Sequence, residues 1–173
     1  MIIKKLRLRK NLNFSQGDII IGSVSRLHDD HKRISDLLHI MPNLARRHKN
    51  VKYLVVGDGP DRDFLEKLVV DLGLGENVVF VGHQDDVGIF LNIIDIFALP
   101  SAGEALPLAL VEAMHAGLPC VATDVGGNAF ALEGGACGKL AQPGDSDSFE
   151  KALEDLIVSP ASRDEYGSLA KAR

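Results

Sequence analysis

The sequence predicts an α/β domain: a doubly wound, Rossmann-like parallel sheet of five or six strands with helices on both faces. Three observations carry this. Short β-branched apolar runs such as DIIIGSVS, VKYLVVG and NVVFVG recur along the chain, the pattern of strands buried on both sides. Stretches with apolar residues at helical spacing alternate with them, and the connections are short and rich in Gly, Pro and Asp. At 173 residues, 46% of them hydrophobic, the chain suffices for one domain of ordinary size.

Residues 1–17 read as a linker or edge segment ahead of a domain over 18–173. Lys4, Lys5, Arg7, Arg9 and Lys10 give this segment a local basic excess, which also suits an anionic membrane surface. Asp18 to Ser25 is the first strand and ends at Arg26. Ile34, Leu37, Leu38, Met41 and Leu44 then recur at helical spacing, so Arg26 falls at a strand's C-terminal end and Lys32 near a helix start. Val51 to Gly57 is the second strand, followed by an amphipathic helix through Leu72. The intervening GDGPDR lacks the third glycine of a dinucleotide fingerprint, because Arg62 stands there, and is read as a tight strand-to-helix turn. Asn77 to Gly82 is a third strand and Asp85 to Ile94 a short helix.

The next stretch mixes chemistry into an apolar run. Asp95 to Pro100 reads as a buried strand, Ser101 to Leu106 as a turn, and Pro107 stands where a helix would begin. LALVEAMHAG is apolar nearly all round, the mark of a helix buried between layers, with Glu112 the exception. A carboxylate there needs donors, since an unpaired buried charge costs several kcal/mol. The helix start leaves N–H groups such as those of Leu108 and Ala109 without intrahelical acceptors, which suits an anion. Glu104 and Glu112, eight residues apart, can line one pocket above the strand end. Carboxylates that bind diols beside a phosphate-binding helix start point to a nucleotide sugar. In the plainer reading Glu112 pairs with a core cation and Glu104 is solvated.

Gly117-Leu118-Pro119 stops that helix, and Cys120 to Thr123 is a further strand. Val125-Gly126-Gly127-Asn128 brings backbone amides to the same rim, with Asn128 also readable as a helix cap. Ala136 to Gln142 is a last strand. The following Asp145-Ser146-Asp147 resembles a metal-binding D-x-D, but it directly precedes SFEKALEDLI and is read as a helix cap.

Composition excludes several classes. A formal net charge of −5 argues against a general nucleic-acid binder. There is no P-loop signature, and the six histidines form no ligand-spaced cluster, so neither a metal nor another cofactor is expected. No apolar run approaches the roughly 18 residues of a membrane span, no signal peptide opens the chain, and two isolated cysteines suit a reducing compartment. A cytoplasmic protein, peripheral to a membrane at most, is the expectation.

The stretch SAGEALPLALVEAMHAGLPCVATDVGG, with its E-x7-E pair, resembles the donor-binding half of retaining glycosyltransferases of the two-domain GT-B fold, specifically glycosyltransferase family 4; the resemblance runs from about Ile19 to Ile157. It implies that Glu112 holds the ribose hydroxyls of a nucleoside diphosphate sugar and that Glu104 faces the transferred sugar. It implies that Arg26 and a following lysine clamp the diphosphate in place of a metal, and that Gly82-His83-Gln84 help hold the base. The donor-binding candidates are thus Glu112 with Ala105, Leu106, Leu108, Gly82, His83, Gly126 and Gly127, and the catalytic ones Glu104, Arg26 and Lys32. Three departures stand out. The family lysine would fall on His31, whereas the cation is Lys32; Ala105 replaces a usual glycine; and Phe130 replaces a usual glutamate. The resemblance also implies an N-terminal acceptor-binding domain that this chain does not contain. A sugar-nucleotide epimerase, or a donor-binding module without turnover, are the alternatives.

Overall fold

The computed structural model describes residues 2–173, with side-chain surroundings from Ile3 onward. Six strands, β1 (Ile19–Val24), β2 (Val51–Val56), β3 (Val78–Phe80), β4 (Ile96–Leu99), β5 (Cys120–Thr123) and β6 (Lys139–Ala141), form one sheet in the order β3-β2-β1-β4-β5-β6. Every neighbouring pair is parallel. The helices are α1 (Ile2–Asn11), α2 (Asp29–Lys32), α3 (Ile34–Arg47), α4 (Arg62–Asp71), α5 (Gly88–Leu91), α6 (Leu108–His115), α7 (Gly127–Ala131), α8 (Ser146–Val158) and α9 (Pro160–Ala172).

Successive strand residues point to opposite faces, and this period divides the core in two. Ile21, Tyr53, Val55, Ile96 and Val121 pack with Leu37 and Met41 of α3 and Leu153 of α8. Ile20, Leu54, Phe97, Cys120 and Ala122 pack on the other side with Phe90, Leu110, Ala113 and Met114. Both faces are therefore covered, which is why these strands read as continuous apolar runs rather than alternating ones. The chain moves outward from β1 to β3, then returns to place β4 on the other side of β1. A crevice lies beyond the strand ends there, between the loop after β1 and the start of α6.

Several elements differ from the sequence reading. The first 17 residues include α1, a helix the linker reading does not contain. Arg9 on it is buried, donates to the Ile93 carbonyl at 3.1 Å and pairs with Asp95, so a long-range ion pair holds the helix against the domain. The helix expected over Asp85 to Ile94 shrinks to α5, because Ile93 and Ile94 turn into the core beside it. Pro107 stands one position before α6, as its capping residue. Helix α9 is absent from the sequence reading, although Ser159-Pro160 is a start signal: the Ser159 hydroxyl accepts from the Ser162 N–H at 3.1 Å. The cap expected at Asp145 is present, its carboxylate accepting from the Ser148 N–H at 3.0 Å.

Helix α6 is the largest departure. Its inner face, Leu110, Ala113 and Met114, is buried, but Leu108 is 62% and Val111 45% exposed, and Glu112 lies on the same open face. The helix is half-covered, not enclosed between layers. No described helix is long and apolar enough to cross a membrane.

Candidate functional site

The crevice is built from loops locked to one another through backbone. After β1, the Leu27 N–H donates to the Asp58 carbonyl at 2.9 Å, and the Gly57 N–H donates to the Gly82 carbonyl at 2.9 Å. Gly57 has φ +134°, and a Cβ there would lie 1.9 Å from the Ser25 carbonyl oxygen; one at Gly59 would lie 2.3 Å from that of Leu27. The glycines of GDGP therefore allow two strand-end loops to touch. Gly82 is placed by the same contacts, with its carbonyl engaged and φ +71°.

An open cavity of about 560 Å³ lies beyond these loops, lined by Ser25, Arg26, Asp58, His83, Gln84, Leu108, Ala109 and Glu112 among others. This volume suits a small-molecule ligand. Arg26 and Glu112 are exposed, and among the described residues neither has a side-chain hydrogen bond or ion pair. The Asp58 carboxyl is held below the ordinary range by the hydrogen bond from the Gly59 N–H and by Arg62, so it too is anionic at this wall. At the α6 start the Leu108 N–H is used on the Leu106 carbonyl at 2.9 Å, contrary to the expectation that it is free. A tight turn at Pro107 makes that bond. Among the described residues the Ala109 N–H has no such acceptor, so the first open N–H of α6 lies one residue further along.

Glu104 lies elsewhere, at the far side of the same turn. Its side chain is 8% exposed, and Oε1 accepts from Lys32 Nζ and from Ser101 Oγ, each at 2.6 Å. The turn is held from two directions. The Ala102 N–H donates to the His31 carbonyl at 2.8 Å, and the Gly127 N–H donates to the Glu104 carbonyl at 2.7 Å. Gly126 has φ +47°, and a Cβ there would lie 2.0 Å from the Glu104 carbonyl oxygen. The amide of Gly127 is thus committed to the Glu104 turn, whereas the sequence reading offers it to a ligand. Asn128 is no helix cap: it is buried and donates through Nδ2 to the Thr123 carbonyl at 3.0 Å.

The offset cation is also placed. Arg33 takes φ +53° between α2 and α3, and the Asp29 carboxylate accepts from the Ser35 N–H at 2.9 Å, so α2 is a separate turn. On that turn Lys32 faces Glu104, while His31 is exposed and stacks its ring on His28 at 5.0 Å between centroids. Arg33 pairs with Asp36 instead.

The structure thus distributes the residues singled out in the sequence. Arg26, His83, Leu108 and Glu112 share the larger cavity, whereas Gly82 is buried next to His83 and does not line it. Lys32 and Glu104 pair with each other and do not line it, so Glu104 and Glu112 do not share one pocket as the sequence suggests. Ala105, Leu106 and Gly127 line a different, mostly apolar cavity of about 430 Å³ with Val111, Met114, Phe130 and Arg173. Phe130 is 78% exposed, with the Arg173 guanidinium 5.5 Å from its ring centre. Sequence reasoning misses Ser101, whose only signal is its place three residues before Glu104, and Asp58, hidden in a turn read as structural. Among the described residues no three His, Cys, Asp or Glu side chains converge as a metal site would require.

Comparison with known proteins bears on this geometry. The family model for glycosyl transferases group 1 matches residues 4–173. The N-acetyl-alpha-D-glucosaminyl L-malate synthase of Bacillus anthracis is 33% identical over 140 residues, 81% of this chain and 36% of that protein. The 2-deoxystreptamine glucosyltransferase of Streptomyces kanamyceticus is 32% identical over 158 residues, 90% of this chain and 41% of that protein. Among solved structures, Anabaena Alr3699/HepE in complex with UDP superposes with a TM-score of 0.89 at 28% identity, over 99% of this chain and 48% of that one. The chain spans less than half the length of these proteins.

Proposed function

The chain belongs to the glycosyl transferases group 1, and from that premise we propose that its crevice is the donor wall of a transfer from a nucleoside diphosphate sugar. One observation carries the reading: Arg26, the open end of α6 and Glu112 meet in a single cavity at the point where the strand order reverses. A guanidinium unpaired among the described residues, beside the open Ala109 N–H of a helix start, suits a diphosphate. A carboxylate on the same wall that is exposed and, among the described residues, unpaired suits the vicinal hydroxyls of a ribose. UDP is the proposed nucleotide, since Anabaena Alr3699/HepE has been seen with UDP and with UDP-glucose.

In this reading Glu112 orients the donor through its ribose and the loop at Gly82 and His83 flanks the base. Arg26, Lys32 and the α6 start stabilise the charge that builds on the departing diphosphate, a task needing fixed cations and dipoles and no metal. Glu104 faces the sugar, and transfer proceeds with retained configuration. The acceptor, a glycan, a lipid or another hydroxyl compound, binds a second wall, for which the open face of Leu108 and Val111 leaves room. The 173-residue chain by itself therefore binds donor without glycosylating acceptors.

Calorimetry with UDP, GDP and ADP, each beside its nucleoside, tests the proposal. The expected result is one diphosphate that binds clearly better than its nucleoside, unaffected by a chelator. Binding of none of the three, or equal binding of nucleoside and diphosphate, overturns it.

A further inference from the structure

Glu104 already has partners on the oxygen nearest Lys32. Oε1 receives both the Lys32 ammonium and the Ser101 hydroxyl at 2.6 Å, with side-chain exposures of 26% for Lys32 and 8% for Glu104. In the donor-site reading, on which this inference rests, the same lysine meets the diphosphate. A largely buried carboxylate and an incoming diphosphate thus want one cation.

We propose that Glu104 is a specificity-determining residue that competes with the diphosphate for Lys32, and so makes the site prefer an intact sugar nucleotide to the nucleoside diphosphate left after transfer. When a bare nucleoside diphosphate binds, it draws Lys32 away and leaves the Glu104 carboxylate short of its cation and beside a second anion. Both effects oppose binding. When a sugar is attached, its hydroxyls donate to Glu104 and offset the loss of the ammonium. Hydroxyl donors can do this without adding charge.

The surroundings of Glu104 allow that exchange to be local. Ser101 is fully buried, and its carbonyl accepts from the Thr123 hydroxyl. Its own hydroxyl can therefore keep hold of Oε1 after Lys32 has gone. The Glu104 backbone is pinned by Gly127. What moves is the end of a lysine, a flexible four-carbon stem with three rotatable donors. Glu104 keeps its aim while its charge partner changes from ammonium to sugar hydroxyls, and the departing product meets a site that has reverted to its internal pair.

The test is calorimetry with UDP, GDP, ADP and their glucose derivatives on wild type, Glu104→Gln, Lys32→Ala and the double variant. Gln keeps the shape of Glu and still accepts from Ser101, and Glu104→Ala serves as a second removal of the rival charge. Glu104→Gln is expected to bind the preferred diphosphate roughly three- to tenfold tighter, the range for a partly exposed charged pair. The sugar nucleotide should gain nothing, so the preference for it shrinks. In the Lys32→Ala background the same Glu→Gln change should lose most of its effect, which a merely structural Glu104 would not show. Unchanged or weaker diphosphate binding by both Glu104 variants, with wild type binding normally, overturns the proposal and leaves the donor-site reading standing. Absence of binding in the wild type overturns both.

Discussion

The turn 101–107 and the outward face of α6 adjoin in sequence and each carries one carboxylate, Glu104 and Glu112, in opposite surroundings. Glu104 is nearly buried and already bonded to Lys32 and Ser101, whereas Glu112 is exposed and, among the described residues, unpaired. The plainer sequence reading has the two the other way round, with Glu112 paired and Glu104 solvated. The contrast separates two ways of meeting a ligand. A paired carboxylate gives up a partner when a ligand arrives, so its contribution is a difference between two states. An open carboxylate loses only water, and its hydrogen bonds to a ligand count more directly.

The contrast can be broken most forcefully from behind the turn. Gly126→Val puts a β-branched residue at φ +47°, where even a Cβ would lie 2.0 Å from the Glu104 carbonyl oxygen. It should destabilise the fold by roughly 2–4 kcal/mol, from strain and a displaced turn together. Urea unfolding measures this, and a loss inside surface-mutation noise would mean the turn is not held by Gly126.

Binding should then separate the two carboxylates. Glu112→Ala is expected to weaken the nucleoside diphosphate by about 1.5–3 kcal/mol, the range for hydrogen bonds to a charged group. Its stability should change by less than about 0.5 kcal/mol, as for exposed sites generally. Glu104→Ala should do the reverse, costing roughly 1–2 kcal/mol of stability after discounting for the partly exposed Lys32. It should not weaken diphosphate binding. Parallel calorimetry and urea unfolding on the two variants decide this, and equal binding losses would erase the distinction.

Arg26 sharpens the open side. Arg26→Ala should weaken UDP by about 1–2 kcal/mol while leaving uridine nearly unchanged, since only the diphosphate presents charge to a guanidinium. Arg33→Ala, whose partner is Asp36, should leave both alone. A competition assay with the two ligands reads the difference.

The smallest expected effect lies far from either carboxylate, where α3 meets α8. Glu154 accepts from His48 at 2.9 Å and from Arg47 at 2.8 Å, and its carboxyl is lowered first by the His48 bond and then by Arg47. A depressed folded-state pKa means stability that is present above the unfolded value and lost as pH falls through the folded one. Acid unfolding of Glu154→Gln should accordingly be shallower than wild type below the usual carboxylate range. The difference at neutral pH should be under about 1 kcal/mol, because the group is solvent-screened. A larger difference would mark this surface pair as a true anchor.

What the sequence determined by itself is what depends on neighbours along the chain. Apolar runs and helical periods set the alternation of β1 to β6 with helices, and the reading of Cys120 to Thr123 matches its strand residue for residue. Asp145 declared its cap because capping acts over three residues. The tertiary structure decided what depends on partners far away. The charged partner of Glu104 lies 72 residues earlier, that of Arg9 lies 86 residues later, and the glycine that shapes the Glu104 turn belongs to the loop after β5. Nothing in a local pattern fixes such meetings, since a carboxylate is paired or free according to which turn is folded against it. The exposure of α6 has the same origin. Its residues are apolar enough for an enclosed helix, and only the packing of Leu110, Ala113 and Met114 on the sheet fixes which face remains open for Glu112.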